Sequence, residues 1–278
     1  MATATRQLST KAAIVADLVP MDSLDIDHPL ADSLLKLRRA QEHFDTLSRQ
    51  MDALIGDPAH FFVAESDRPQ KRVTVRVPND IGYSLPEMGL VAGDFIHNVR
   101  SALDVLVSSL LRLRGRPDAS CNFPIVTVDN QETRKSVKKA LQGLSLEQKA
   151  IIKGLQPHQG TYGSRFLISL RDLSNDEKHR ILHPAKLIVT DLRVDFGPTA
   201  KIIEQRFPPK IMLKPGAEVF SCRLEPYPEG KVQMQYNITT EIAFAEAPGY
   251  DAVARMGEFL HMLDHATAIA ERLALTLA

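Results

Sequence analysis

The sequence predicts an α+β fold: a helical bundle with an N-terminal β-hairpin, and a C-terminal antiparallel sheet followed by a terminal helix. Three observations carry this. Apolar residues recur at three- and four-residue steps through most of the first 180 positions. Period-two alternation interrupts that pattern once, around residue 75, and takes over after Pro184. A helical pattern then returns from about residue 250. With 44% hydrophobic residues among 278, there is enough apolar material for a sizeable core.

Residues 1–29 carry no sustained pattern and are expected to be loosely ordered. Residues 30–278 are expected to form a single domain. Its helical part covers about 30–184, its strand-rich part about 185–248, and its last helix about 250–277.

In chain order, Asp32-Ser33 opens a helix in which Leu34, Leu37, Phe44, Leu47, Met51 and Leu54 form one stripe. Gly56-Asp57-Pro58 closes it. Phe61–Glu65 and Arg72–Val77 read as a hairpin. Val73, Val75 and Val77 alternate there with Arg72, Thr74 and Arg76, which predicts one buried face. Ser84 as cap and Pro86 in the first turn start a helix over 86–114, stopped by Gly115-Arg116-Pro117. Its apolar stripe is Phe95, Val99, Leu103, Leu106, Leu110 and Leu113. At 100° per residue, Asp94, His97, Ser101, Asp104 and Ser108 fall on the opposite side.

Residues 131–142, 145–154 and 164–182 read as shorter helices. Ser145 with Gln148 three residues on is a capping box, and Pro184 ends the last of the three. Leu187–Phe196, Ile202–Phe207, Val219–Leu224 and Val232–Ala243 read as strands. Ala252–Leu275 is again helical, with Met256, Phe259, Leu260, Leu263 and Ile269 as packing positions.

Lys plus Arg and Asp plus Glu number 34 each, so the net charge gives no global reason to hold long nucleic acid. Local runs such as Arg112, Arg114 and Arg116, or Arg134, Lys135, Lys138 and Lys139, read first as solvated helix ends. Cys121 and Cys222 make no disulfide framework and have no metal-type spacing, which favours a reducing, cytoplasmic setting. The apolar run Ala12–Val19, broken by Asp17, is too short to span a bilayer, so no membrane partner is expected.

Chemistry concentrates in two polar clusters. The first runs from Gly93 to Asp104 and holds His97, Asn98, Arg100, Ser101 and Asp104. The second is Asn175-Asp176-Glu177-Lys178-His179-Arg180. The two are expected to meet in one site between helices. No Gly-x-Ser-x-Gly elbow, Walker loop, Gly-x-Gly-x-x-Gly or His-Glu-x-x-His occurs. Asp94, His97, Asp104, Asp176 and His179 are metal-type ligands without a diagnostic spacing, so no metal or other cofactor is assigned.

Metal-free RNA cleavage needs a proton carrier and cations to stabilise phosphorane charge. His97 or His179 would serve the first role, and Arg100, Lys178 or Arg180 the second. Asn98, Ser101, Asn175 and Asp176 would bind. The structural alternative is that the first cluster locks helix packing. On that alternative Asn175-Asp176 caps a helix, and Lys178 to Arg180 suit the negative end of its dipole.

These two segments resemble the signatures of a widespread family of uncharacterised bacterial proteins. Its members show a glycine-aspartate-x-x-histidine-asparagine-x-arginine-serine-alanine-leucine-aspartate helix, followed by asparagine-x-x-lysine-histidine-arginine. Arg39-Ala40-Gln41-Glu42-His43 and Asn122-Phe123-Pro124-Ile125 are similar to it as well, and the resemblance spans about residues 35–185. Many relatives carry histidine directly after the aspartate. That spacing, arginine then four residues then histidine, is similar to the signature of HEPN domains, helical modules often found as metal-independent ribonucleases.

This chain has Val105 at that position. Arg38 with His43 and Arg255 with His261 also fit the spacing, but 20 Arg and 9 His make roughly two such pairs by chance. What the resemblance implies is an HEPN-like protein acting on nucleic acid or a nucleotide, a degenerate metal-independent ribonuclease that pairs as a homodimer with RNA or a nucleotide as ligand. A non-enzymatic binding or scaffold protein with structural polar clusters is the alternative, and a metal-dependent hydrolase the second.

Overall fold

The computed structural model describes residues 28–55, 62–80, 85–116, 122–161, 163–179, 185–196, 200–208, 215–229, 235–245 and 253–277. It is α+β, as expected. The helices are α1 (Ala31–Ile55), α2 (Leu85–Leu113), α3 (Gln131–Ala140), α4 (Leu146–Gly154), α5 (Ser164–His179) and α6 (Met256–Ala274). The strands are β1 (Val63–Asp67), β2 (Arg72–Arg76), β3 (Ala185–Asp195), β4 (Lys201–Arg206), β5 (Glu218–Glu225), β6 (Gln235–Ala245) and β7 (Val253–Arg255).

The chain divides into two compact units, with the division falling inside α1 and α2. The helical unit comprises Met1–Phe44, Ala92–Ile181 and Gly257–Ala278, and the strand-rich unit Asp45–Val91 and Leu182–Met256.

In the helical unit, α2 is the central core element. Phe95 packs edge-on against Phe259 of α6, with ring centres 5.0 Å apart, and at 6.3 Å from Phe44 of α1. Val99, Leu103, Leu106 and Leu110 are buried as the periodicity predicts, but so are Ile96, Ala102, Val107 and Leu111. Leu113, expected in the stripe, is 51% exposed because it lies in the last turn. The Ser33 hydroxyl donates to the carbonyl of Ala102 (2.9 Å), tying α1 to α2.

Gly115 ends α2 with a left-handed φ of 74°. Its N–H donates to Arg112 O at 3.0 Å and that of Arg116 to Leu111 O at 3.1 Å, a Schellman stop. The Ser145–Gln148 capping box at α4 is present, and Asn130 with Thr133 makes a second one at α3.

In the strand-rich unit, the hairpin and two of the later strands, β4 and β5, are parts of one sheet. The order β1-β2-β5-β4 places Val73 opposite Cys222 and Val75 opposite Phe220. Val73, Val75, Val77, Phe220, Cys222 and Leu224 form the buried face. A second antiparallel sheet has the order β3-β6-β7. The helical pattern expected from Ala252 starts four residues later, since Val253–Arg255 pairs with β6 through Ala243, Phe244 and Ala245. The expected caps at Gly56-Asp57-Pro58 and Ser84 lie outside the described residues.

Candidate functional site

The first polar cluster sits on a helix that faces the core on most sides. What α2 turns outward is a narrow strip. Asp94 and His97 are exposed, and Ser101, Asp104, Val105 and Ser108 are half-buried. The predicted polar face is therefore real but thinner than a simple helical wheel suggests.

Arg100 and Asp104 face a common target, the backbone of Phe123. One guanidinium nitrogen of Arg100, Nη2, donates to Phe123 O (2.9 Å) and to Asp104 Oδ1 (2.9 Å). The same carboxylate oxygen accepts the Phe123 N–H at 2.8 Å. Both polar groups of one residue's backbone are thus held by two side chains one helical turn apart. Phe123 itself is fully buried, so without this clamp its N–H and C=O would lose their partners away from water. The Arg100 side chain is only 15% exposed, and burial lowers its pKa against the opposing effect of Asp104. Its Nη1 is buried with no hydrogen-bond partner among the described residues.

The remaining members of the first cluster divide. Asn98 is buried and its amide donates to Asp94 O at 2.8 Å, a bond inside the helix. The Ser108 hydroxyl likewise donates to Asp104 O at 3.1 Å. Ser101 is half-buried and His97 is exposed.

Val105 faces elsewhere than Arg100. Five residues on, it is about 140° around the helix. It lines an open groove of about 710 Å³ with Lys36 and Arg39 of α1 and with Asn98, Ser108 and Arg112 of α2. Arg112 is paired there with Asp32 at 3.3 Å.

The second cluster requires a correction. Asn175 and Asp176 do not start a helix. α5 runs unbroken from Ser164 to His179, so both residues lie in its last two turns. An Asn or Asp there has no free helical N–H groups ahead of it to cap, and no helix N-terminus is present to attract a phosphate. Asn175 is exposed. The side chains of Asp176, Lys178 and His179, and the whole of Arg180, lie outside the described residues, as does the expected approach of His179 to His97.

Among the described residues no three His, Cys, Asp or Glu side chains gather as metal ligands. Cys222 is buried in β5 among the core side chains of its sheet, and burial pushes its thiol up to about 11.

Three features escaped the sequence reading. His265 of α6 lies against Gly163 so closely that a β-carbon at 163 would overlap its ring, and Gly163 has a φ of 89° that favours glycine. Its Nε2 is buried without a partner among the described residues, and burial lowers its pKa. His43 of α1 is also lowered, first by burial and then by Arg39, against Asp94 and Glu42. Finally, α3 and α4 together form a basic groove.

No helix among the described residues is long and apolar enough to cross a membrane. No protein-family model, no curated protein and no solved structure matches this chain.

Proposed function

We propose that this protein is an HEPN-like helical module that binds RNA or a nucleotide without cleaving it, and that Arg100 and Asp104 are positioning residues for the Asn122–Ile125 loop. The observation that carries this reading is the double hold on the Phe123 backbone. A ribonuclease arginine must aim at the phosphate in the transition state. Arg100 is aimed at a peptide carbonyl and a carboxylate. Its HEPN-type partner position is Val105, which has no proton to move and faces the α1–α2 groove. That groove presents Lys36, while Arg39 and Arg112 are paired with Glu42 and Asp32, so a cation to attract an anion remains where the means to cleave one are missing.

The clamp also gives a physical reason for the Gly93–Asp104 and Asn122–Ile125 segments to occur together. Arg100 and Asp104 of the one are hydrogen-bonded to the backbone of Phe123 in the other.

The test is incubation of purified protein with single-stranded RNA, with and without a chelator. The expected result is retention of the RNA on the protein with no cleavage in either condition. Cleavage that survives the chelator and is lost in a folded Arg100→Lys variant would overturn the reading. Cleavage abolished by the chelator would instead establish the metal-dependent hydrolase. The HEPN analogy further implies a homodimer, and sedimentation at monomer mass across micromolar concentrations would count against it.

A further inference from the structure

A second groove lies between α3 and α4, with a volume of about 800 Å³. Arg134, Lys135, Lys138 and Lys139 of α3 meet Lys149 and Lys153 of α4 along it. The chain as a whole carries no net charge, yet six cations converge on this one feature. One acid, Asp129, lines the groove, and it is paired with Arg134 through two contacts of 2.7 Å. The five lysines have no acidic partner among the described residues. Four of them are exposed, and Lys149 is half-buried.

Two arguments separate this from ordinary helix-end charge. Cations near a helix C-terminus offset its dipole, which accounts for Lys138, Lys139 and Lys153. It does not account for Arg134, Lys135 or Lys149, which lie in the N-terminal halves of their helices, toward the positive end. The spacing also works against helix stability. Arg134–Lys138, Lys135–Lys139 and Lys149–Lys153 are like-charge pairs at i,i+4, an arrangement that destabilises an isolated helix. Asp129 offsets the charge of Arg134, but the two lysine pairs have no acidic partner among the described residues, and a bound anion would relieve their repulsion.

We infer that the α3–α4 groove is a binding site for the phosphate backbone of a single-stranded nucleic acid. This rests on the nucleic-acid reading above and names a place for it. Cations four residues apart repeat every ~6 Å along each helix, comparable to the separation of successive phosphates in an extended strand. The floor is aliphatic, made by Val126, Val137 and Leu141, and no Phe, Tyr or Trp lines the groove. Its one ring, the half-buried imidazole of His158, is held by Val126 O and Gln159. Recognition therefore rests on charge rather than sequence.

Fluorescence anisotropy with a labelled 20-nucleotide RNA of mixed sequence tests this. With four or five phosphates engaged, log affinity should fall against log salt with a slope of about −3. The double reversal Lys139→Glu with Lys149→Glu should weaken binding at least about tenfold and make the slope shallower by roughly 1–2. Lys139→Gln with Lys149→Gln should give a smaller loss in the same direction.

Circular dichroism should be unchanged in both variants. Parent protein that fails to bind RNA at low salt overturns both the groove and the RNA-binding function proposed above. Parent that binds, with variants that bind equally well, overturns the groove alone. Polyglutamate of equal length that competes as well as RNA, with the same sensitivity to both substitutions, would assign the groove to acidic peptides and overturn the nucleic-acid assignment.

Discussion

α2 and α3 carry the same kinds of polar side chain and use them in opposite ways. On α2, Arg100 and Asp104 are partly buried and hold the backbone of Phe123. On α3, Lys135, Lys138 and Lys139 stand in solvent beside a groove and pair with no acid among the described residues. Sequence patterning points the other way, since the first segment has the look of an active site and the second of an ordinary charged helix. The difference is burial. A polar side chain in the interior must find a partner, and the nearest unsatisfied groups are usually backbone. A charge in water needs none, so an unpaired cluster there is available to a ligand.

The comparison is most directly sharpened in the core of α2. Leu103 is 1% exposed. Leu103→Ala should lower unfolding stability by about 2–5 kcal/mol as a cavity mutation. Chemical denaturation showing a loss below about half a kcal/mol would remove α2 from its central place.

A smaller but still large effect is expected from the clamp. Asp104→Ala leaves the Phe123 N–H without its acceptor and Arg100 without its counter-charge, in a region where Arg100 is mostly buried. The cost should be about 2–3 kcal/mol, in the range for stranding buried groups beside a charge. Arg100→Ala should cost a similar amount, and the double variant should cost clearly less than the sum, because the two residues share one target. Additive losses in the double variant would mean that the clamp is not a unit.

What was readable in the sequence was local. The span of α1, the apolar stripe of α2 up to Leu110 and the Ser145–Gln148 capping box depend on neighbours within a few residues, and all are present. The joining of β2 to β5 is not local. Val73 pairs with Cys222 across 149 positions, and nothing in either strand's alternation names its partner. The site follows the same rule. The Gly93–Asp104 and Asn122–Ile125 segments each stand out in the sequence, but only the fold puts Phe123 on Arg100 and Asp104. The run Arg134–Lys139 was visible as charge, yet Lys149 and Lys153 join it only because α4 lies beside α3 in the same groove. Asn175-Asp176 was misread for the converse reason. A good cap pair has no capping role when the helix has already begun eleven residues earlier, at Ser164.

The smallest effect has the most diagnostic sign. If the clamp residues maintain the fold and the groove residues do not, Lys135→Ala should be neutral or slightly stabilising. The side chain is exposed, its i,i+4 neighbour Lys139 has the same charge, and alanine is the better helix former. Removing one repulsive pair should raise stability by about 0.2–0.5 kcal/mol at low ionic strength. That gain should shrink as salt is added, because exposed charges are screened. Thermal melts at two salt concentrations would measure it. A loss of more than about 1 kcal/mol would mean that Lys135 has a structural partner, and the contrast between the two helices would fail. A gain accompanied by weaker RNA binding would place α3 among elements that retain a local strain for the sake of a ligand.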